Sequence, residues 1–186
     1  RDLRRQRQMC IRDRELGGKN PLVVMPSANI ENAVEGAYWA AFGTAGQRCT
    51  SLGNLILHKD IYEEFMDKFM AKVKETKIGD SLRNDDVLYG SMLSEKYASD
   101  FLRDLGMCET DGATKLWGEG RITNENKPEN FQGDAAEGSY MWPHVYADVT
   151  EEMRCFQEEI FGPVVTVVRA EDFENALHLA NASPFG

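Results

Sequence analysis

Three short stretches combine residue types that can do covalent or ligand-binding chemistry. In Gly43-Thr-Ala-Gly-Gln-Arg-Cys-Thr-Ser51 a thiol follows a helix-like segment, among small and polar residues. Cys49 could be a nucleophile there, with neighbouring backbone N–H groups to hold an oxyanion. It could equally be a small buried hydrophobe, one thiol of four. Glu15-Leu-Gly-Gly-Lys19 sets a carboxylate before two glycines, where backbone can pass close to a ligand or simply turn into a strand. Glu158-Glu-Ile-Phe-Gly-Pro163 offers an acidic pair and an aromatic ahead of a strand. The plain alternative is a solvated turn with Phe161 in the core.

The elements that must position these stretches alternate between the two common periods. Pro21 to Met25 and Asn54 to Leu57 read as buried strands, and Val164 to Val168 is a β-branched one. Ile30, Val34, Ala37, Tyr38 and Ala41 define one helix face, with Ser27 or Asn29 as its cap, and Gly43 and Gly46 end it. Asp60 is expected to cap a second helix with Ile61, Phe65, Phe69 and Val73 inward. A third helix is expected from Ser94 to about Leu105, then a strand from Ala113 to Trp117. The turn-rich stretch 118–138 reads as a surface insertion, followed by a strand over Tyr140 to Val149. Glu151 to Arg154 makes at most a helical turn, and Asp172 to Asn181 is the last helix. Strands alternating with helices predict an α/β fold, a parallel sheet covered on both faces.

Composition excludes several function classes. A net charge of −10 argues against nucleic acid as a partner, because phosphate binding needs clustered Lys and Arg. No apolar run reaches the length of a membrane span, and no secretory signal pattern is present. Cys10, Cys49, Cys108 and Cys155 show no metal-ligand spacing with His58, His144 or His178, so no metal is expected, and reduced thiols suit a cytoplasmic compartment. Cys108, on a helix, reads as structural. Cys155 closely precedes the acidic pair, so a second thiol beside a bound ligand is one reading of it. Residues 1–14, with six Arg and two Asp, carry about +4 and leave about −14 to the rest. They read as a disordered basic arm or as foreign sequence joined ahead of a domain spanning 15–186.

Taken together, ELGGKNP, GQRC, EEIFGPV and the closing Ala180-Asn-Ala-Ser-Pro-Phe-Gly186, in this order, resemble the aldehyde dehydrogenase superfamily. The separation of Glu15 from Cys49 is similar to the family's, and the resemblance runs from Glu15 to Gly186. It implies a partial catalytic domain, incomplete at both ends, and oxidation of a small-molecule aldehyde to a carboxylic acid with NAD or NADP. Cys49 would be the nucleophile and Glu15 the base that activates water. Glu159 would bind cofactor ribose hydroxyls, Phe161 would pack beside the nicotinamide, and the backbone at Gly17 would approach the cofactor. A homo-oligomeric parent enzyme is implied, and the chain by itself is expected to be inactive. The coenzyme A-acylating semialdehyde dehydrogenases look similar around GQRC but typically lack the glutamate at the position of Glu15. They are the alternative enzyme class, and a non-catalytic scaffold member is the other. The stretch 121–139 looks longer than the family's loop, and Tyr140-Met-Trp-Pro143 replaces its more usual pattern, so the aldehyde is left open.

Overall fold

The computed structural model describes residues 17–185. Glu15 and Cys10 lie outside the described residues. The chain runs β1 (Asn20–Val24), α1 (Ile30–Phe42), β2 (Leu52–His58), α2 (Tyr62–Lys74), α3 (Glu95–Asp111), β3 (Thr114–Trp117), β4 (His144–Ala147), α4 (Arg154–Gln157), β5 (Val164–Ala170) and α5 (Phe173–Asn181). These strands form one sheet in the order β1-β2-β5-β4-β3. The pairs β1–β2, β2–β5 and β5–β4 are parallel; β3 joins β4 antiparallel at the far edge. The expected parallel α/β sheet is therefore present, with one antiparallel edge strand that periodicity alone did not reveal.

The central strands are buried on both faces. Leu55, Ile56 and Leu57 are consecutive, so they point to alternating sides, yet all three are fully buried. Only helices or loops on both faces can cover them. The α1 face is Val34, Ala37, Tyr38, Ala41 and Phe42, and Asn29 caps the helix, its Oδ1 accepting from the Asn32 N–H at 2.9 Å. In α2, Phe65, Phe69 and Val73 are buried as the four-residue spacing requires. Phe69 stacks between Phe42 of α1 (6.2 Å) and Phe65 (5.9 Å), which locks the two helices together.

Several boundaries differ from expectation. Asp60 does not cap α2; it lies in a 3₁₀ turn, Lys59–Ile61, where His58 Nδ1 accepts from the Asp60 N–H. The α3 helix continues to Asp111 and ends on Gly112 at φ 88°, a left-handed stop that tolerates glycine without strain. The strand expected over 140–149 is regular only from His144 to Ala147. The turn expected at 151–154 is present over 151–152 and leads into α4, which begins at Arg154. The stretch 118–138 is irregular, but Ile122, Phe131 and Ala135 are buried, so it is anchored to the body rather than laid on the surface. No helix among the described residues is long and apolar enough to cross a membrane.

Phe69 is the keystone of the helix pair. Phe69→Ala should lower stability by about 3–5 kcal/mol through lost burial and a residual cavity. Urea denaturation checks this; an unchanged midpoint would contradict the packing described.

Candidate active site

Parallel topology brings the chemical stretches together. The glycine turn leads into β1, the Cys49 loop into β2 and Glu158–Pro163 into β5. Asn20 pairs with Leu52, and Asn54 with Thr166, so these strands start level at one end of the sheet. All three stretches therefore collect at the amino ends of adjacent strands.

The Cys49 loop is shaped by an unusual turn. Thr44 and Ala45 hold φ 56° and 55°, and Gly46 follows at 63°. For the β-branched Thr44 this is a genuine outlier, costing about 1–3 kcal/mol. At Gly46 the reason for glycine is direct: a Cβ there would lie 2.0 Å from the Gly162 carbonyl oxygen. The Cys49 loop and the Glu158–Pro163 stretch thus touch backbone to backbone. Gln47 secures the turn from outside, its Oε1 accepting from the Leu93 N–H at 2.9 Å. Within the loop, Ser51 N–H donates to the Arg48 carbonyl at 2.9 Å. Cys49 itself is exposed.

Asn20 clamps this loop to the glycine turn. Its Nδ2 lies 2.8 Å from the Cys49 carbonyl, 2.9 Å from the Ser51 carbonyl and 3.0 Å from the Gly18 carbonyl. A register shift between Asn20 and Pro21 turns the amide toward those carbonyls, a common use of a bulge beside a site. Gly18, at φ 130°, packs against Phe185 of the closing segment, where a Cβ would sit 2.3 Å from the ring. The fourth stretch therefore joins the other three.

Behind the acidic pair, a buried polar bridge fixes the approach to β5. Asn54 Nδ2 donates to the Phe156 carbonyl at 3.1 Å, and the Thr166 hydroxyl lies 2.6 Å from Asn54 Oδ1. Glu159 and Phe161 are both half-buried, and the Phe161 ring is 6.3 Å from that of Tyr97. Gly17 is half-buried at the start of the glycine turn. Lys19 is buried, and Glu159 is among the charges that act on it. Burial pulls the Lys19 ammonium down to about 8, partly offset by the nearby thiols and Glu159. Four sequence-selected residues, Gly17, Cys49, Glu159 and Phe161, thus belong to stretches that lead into the same sheet end. Asn20 and Asn54 were not among them. Their signal was a lone polar residue at or within an apolar strand.

An exposed thiol on a clamped loop, an acidic-aromatic stretch and a glycine turn, at one end of a doubly covered α/β sheet, define a thiol-bearing α/β enzyme type of domain. Residues 7–186 match the aldehyde dehydrogenase family. The alpha-ketoglutaric semialdehyde dehydrogenase of Bacillus subtilis (strain 168) is 36% identical over 172 residues, 92% of this chain and 33% of that protein. The vanillin dehydrogenase of Corynebacterium glutamicum is also 36% identical, over 92% of this chain and 32% of its own length. Among solved structures, an NAD-dependent aldehyde dehydrogenase from Sinorhizobium meliloti superposes with TM-score 0.81 at 32% identity, covering 91% of this chain and 31% of that one. The Staphylococcus aureus betaine aldehyde dehydrogenase, in complex with NAD⁺, gives TM-score 0.81 at 30% identity over 91% of this chain and 32% of that one. This chain belongs to the aldehyde dehydrogenase family, and it spans about a third of the length of these relatives.

Lys19 makes the site's electrostatics measurable. Its pKa falls from 10.5 to about 8 on folding, so the unfolded chain holds the extra proton between those values. Stability must therefore rise with pH across that window by up to roughly 3 kcal/mol from this group, and the penalty is fully present below pH 8. Lys19→Met should remove this rise. Urea unfolding of both proteins at pH 7.5 and pH 10 measures it, and parallel pH dependences would contradict the assignment.

Proposed function

We propose that this chain carries the nucleophile, the hydrolytic base and part of the dinucleotide site of an NAD(P)-dependent aldehyde dehydrogenase that converts a small-molecule aldehyde to a carboxylic acid. The observation that carries the reading is the exposed Cys49 loop, clamped by Asn20 beside the glycine turn and packed through Gly46 onto Gly162. A nucleophile needs both features, access for the substrate and a fixed backbone around the attacking atom.

In this mechanism the Cys49 thiolate attacks the carbonyl carbon and forms a thiohemiacetal. The backbone N–H of Cys49 donates to the new oxyanion, and the clamp on its carbonyl holds the loop still while charge develops. A dinucleotide held by Glu159, Phe161 and the Gly17 backbone would supply the acceptor for the hydride that leaves the former aldehyde carbon. The acyl group is then left on Cys49 as a thioester. Glu15 takes a proton from the water that attacks this thioester, and the Cys49 sulfur leaves as thiolate.

The residues present suit a dinucleotide by their chemistry. The half-buried Glu159 carboxylate has two acceptor oxygens for a pair of ribose hydroxyls, steadied by the neighbouring Lys19 charge. Phe161 offers an apolar ring for the nicotinamide end, and Gly17 a backbone without a Cβ. The solved relative that contains NAD⁺ supports the cofactor class. In this reading the enzyme is a cytoplasmic homo-oligomer, as tight cofactor binding and turnover are proposed for a chain of the relatives' length. The chain by itself is expected to be inactive.

Cys49→Ala in the full-length parent should lower aldehyde oxidation by on the order of 10³-fold or more. Glu15→Gln should spare acylation and slow hydrolysis, giving a burst of reduced dinucleotide and then a low steady rate. Rapid-mixing absorbance measurements follow both phases. Persisting activity in Cys49→Ala would overturn the nucleophile assignment, and product that forms only with coenzyme A would overturn the hydrolytic one.

A further inference from the structure

One buried titratable side chain has no part in the mechanism above. His144, the first residue of β4, is 2% exposed. A glycine turn wraps its ring: Nε2 accepts from the Gly120 N–H at 3.0 Å, and a Cβ at Gly118 would lie 2.3 Å from the ring. A ring nitrogen that accepts from an N–H carries no proton, so the imidazole is neutral, with its hydrogen on Nδ1.

The same residue supports the candidate site from behind. Its backbone N–H donates to the Pro163 carbonyl at 2.8 Å. Its ring meets the buried Phe101 ring of α3 edge to face, with centroids 5.6 Å apart. Phe101 in turn abuts Gly162, where a Cβ would lie 2.2 Å from that ring. Gly162 presents its carbonyl to Gly46 of the Cys49 loop. Close contacts therefore run without a break from the glycine turn, through His144 and Phe101, to the thiol loop.

We propose that neutral His144 is a positioning residue for the candidate site: it pins the 118–120 turn and, through Phe101, holds Gly162 against the Cys49 loop. The contacts stand on the structure alone, whereas what the site does is the function proposed above.

The role requires the uncharged ring. A proton on Nε2 would set an N–H against the Gly120 N–H and leave a charge in the core. Burial pulls the His144 pKa from 6.5 down to about 4, partly offset by the Trp142 and Pro163 carbonyls. Lys115 on β3 disfavours the proton and Glu109 on α3 favours it; the two are paired at 2.9 Å and oppose each other. Tyr146 on β4 stacks on the ring at 6.5 Å, and burial pushes its phenol up, so it stays neutral. Glu119, between the two glycines of the turn, is exposed. The ring thus takes a proton readily only by leaving its place. An opened turn, with histidine at its ordinary 6.5, gains on the closed one as pH falls below that value, by up to about 300-fold below pH 4.

Hydrogen–deuterium exchange of the chain at pH 7 and pH 4.5, corrected for intrinsic rates, tests this. The peptides to follow cover 46–51, 118–120 and 159–163, with Leu55–Leu57 as the reference. In the unaltered chain the first three should lose protection about ten-fold or more at pH 4.5, while Leu55–Leu57 keeps its own. His144→Gln offers an amide oxygen in place of Nε2 and does not titrate, so its three segments should stay protected at both pH values. His144→Ala should lose protection in all three already at pH 7. If His144→Ala does not fold, the pH comparison with His144→Gln decides alone. Three results would overturn the proposal: the same loss at pH 4.5 in His144→Gln, unchanged protection over 46–51 and 159–163 in folded His144→Ala, or a loss in the unaltered chain that reaches Leu55–Leu57 equally. None of these readouts depends on aldehyde oxidation, so failure here and failure of the proposed function are told apart.

Discussion

Everything at the candidate site depends on one close approach, Gly46 against the Gly162 carbonyl. Two loops more than a hundred residues apart in sequence meet backbone to backbone, with no room for a methyl group between them. The contact explains glycine at Gly46 in GQRC. It also explains why Thr44 and Ala45 tolerate left-handed backbone: the turn has to deliver Gly46 to that spot. Gly162 is constrained from its other side as well, since a Cβ there would strike the Phe101 ring at 2.2 Å. The site is thus pressed between the thiol loop and α3, and no single element owns it.

The chemistry gathers at the amino ends of parallel strands. Open α/β sheets more often bind ligands beyond the carboxyl ends, where helix N-termini supply N–H groups. Here the strands lead away from the site, and positional precision comes from other sources. Asn20 supplies it by hydrogen bonding to three carbonyls, and the Asn54–Thr166 pair supplies it by fixing the Phe156 carbonyl from inside the sheet. Both are side-chain devices that hold loop carbonyls in place.

The fold was legible where burial sets the period. The faces of α1 and α2 and the apolar runs of β1, β2 and β5 follow directly from spacing and β-branching. What spacing could not supply was direction and depth. Strand β3 looks like any short strand, and only its pairing with β4 makes it antiparallel. The stretch 118–138 is polar in composition, yet three apolar residues are enough to anchor it. At the site, Cys49, Glu159 and Phe161 stood out through their company. Asn20 and Asn54 did not, because a lone amide near an apolar run carries little signal until its carbonyl partners are brought within reach. Asn54 and Thr166 illustrate this. Each interrupts an apolar run harmlessly on paper, and they prove to be register partners on adjacent strands.

The irregular pairing at Asn20 and Pro21 has a consequence for motion. Proline has no N–H to give a ladder, and the register shift falls where the thiol loop ends and β2 starts. Local openings cost least where the hydrogen-bond ladder is sparse, and far less than unfolding the buried centre of the sheet. At that point the Asn20 amide, bonded to the Cys49 and Ser51 carbonyls, holds the segment that the ladder does not, whereas Leu55, Ile56 and Leu57 are held by strand pairing and burial. How still that exposed sulfur is kept is set by one amide at a strand end, apart from the burial that stabilises the domain behind it.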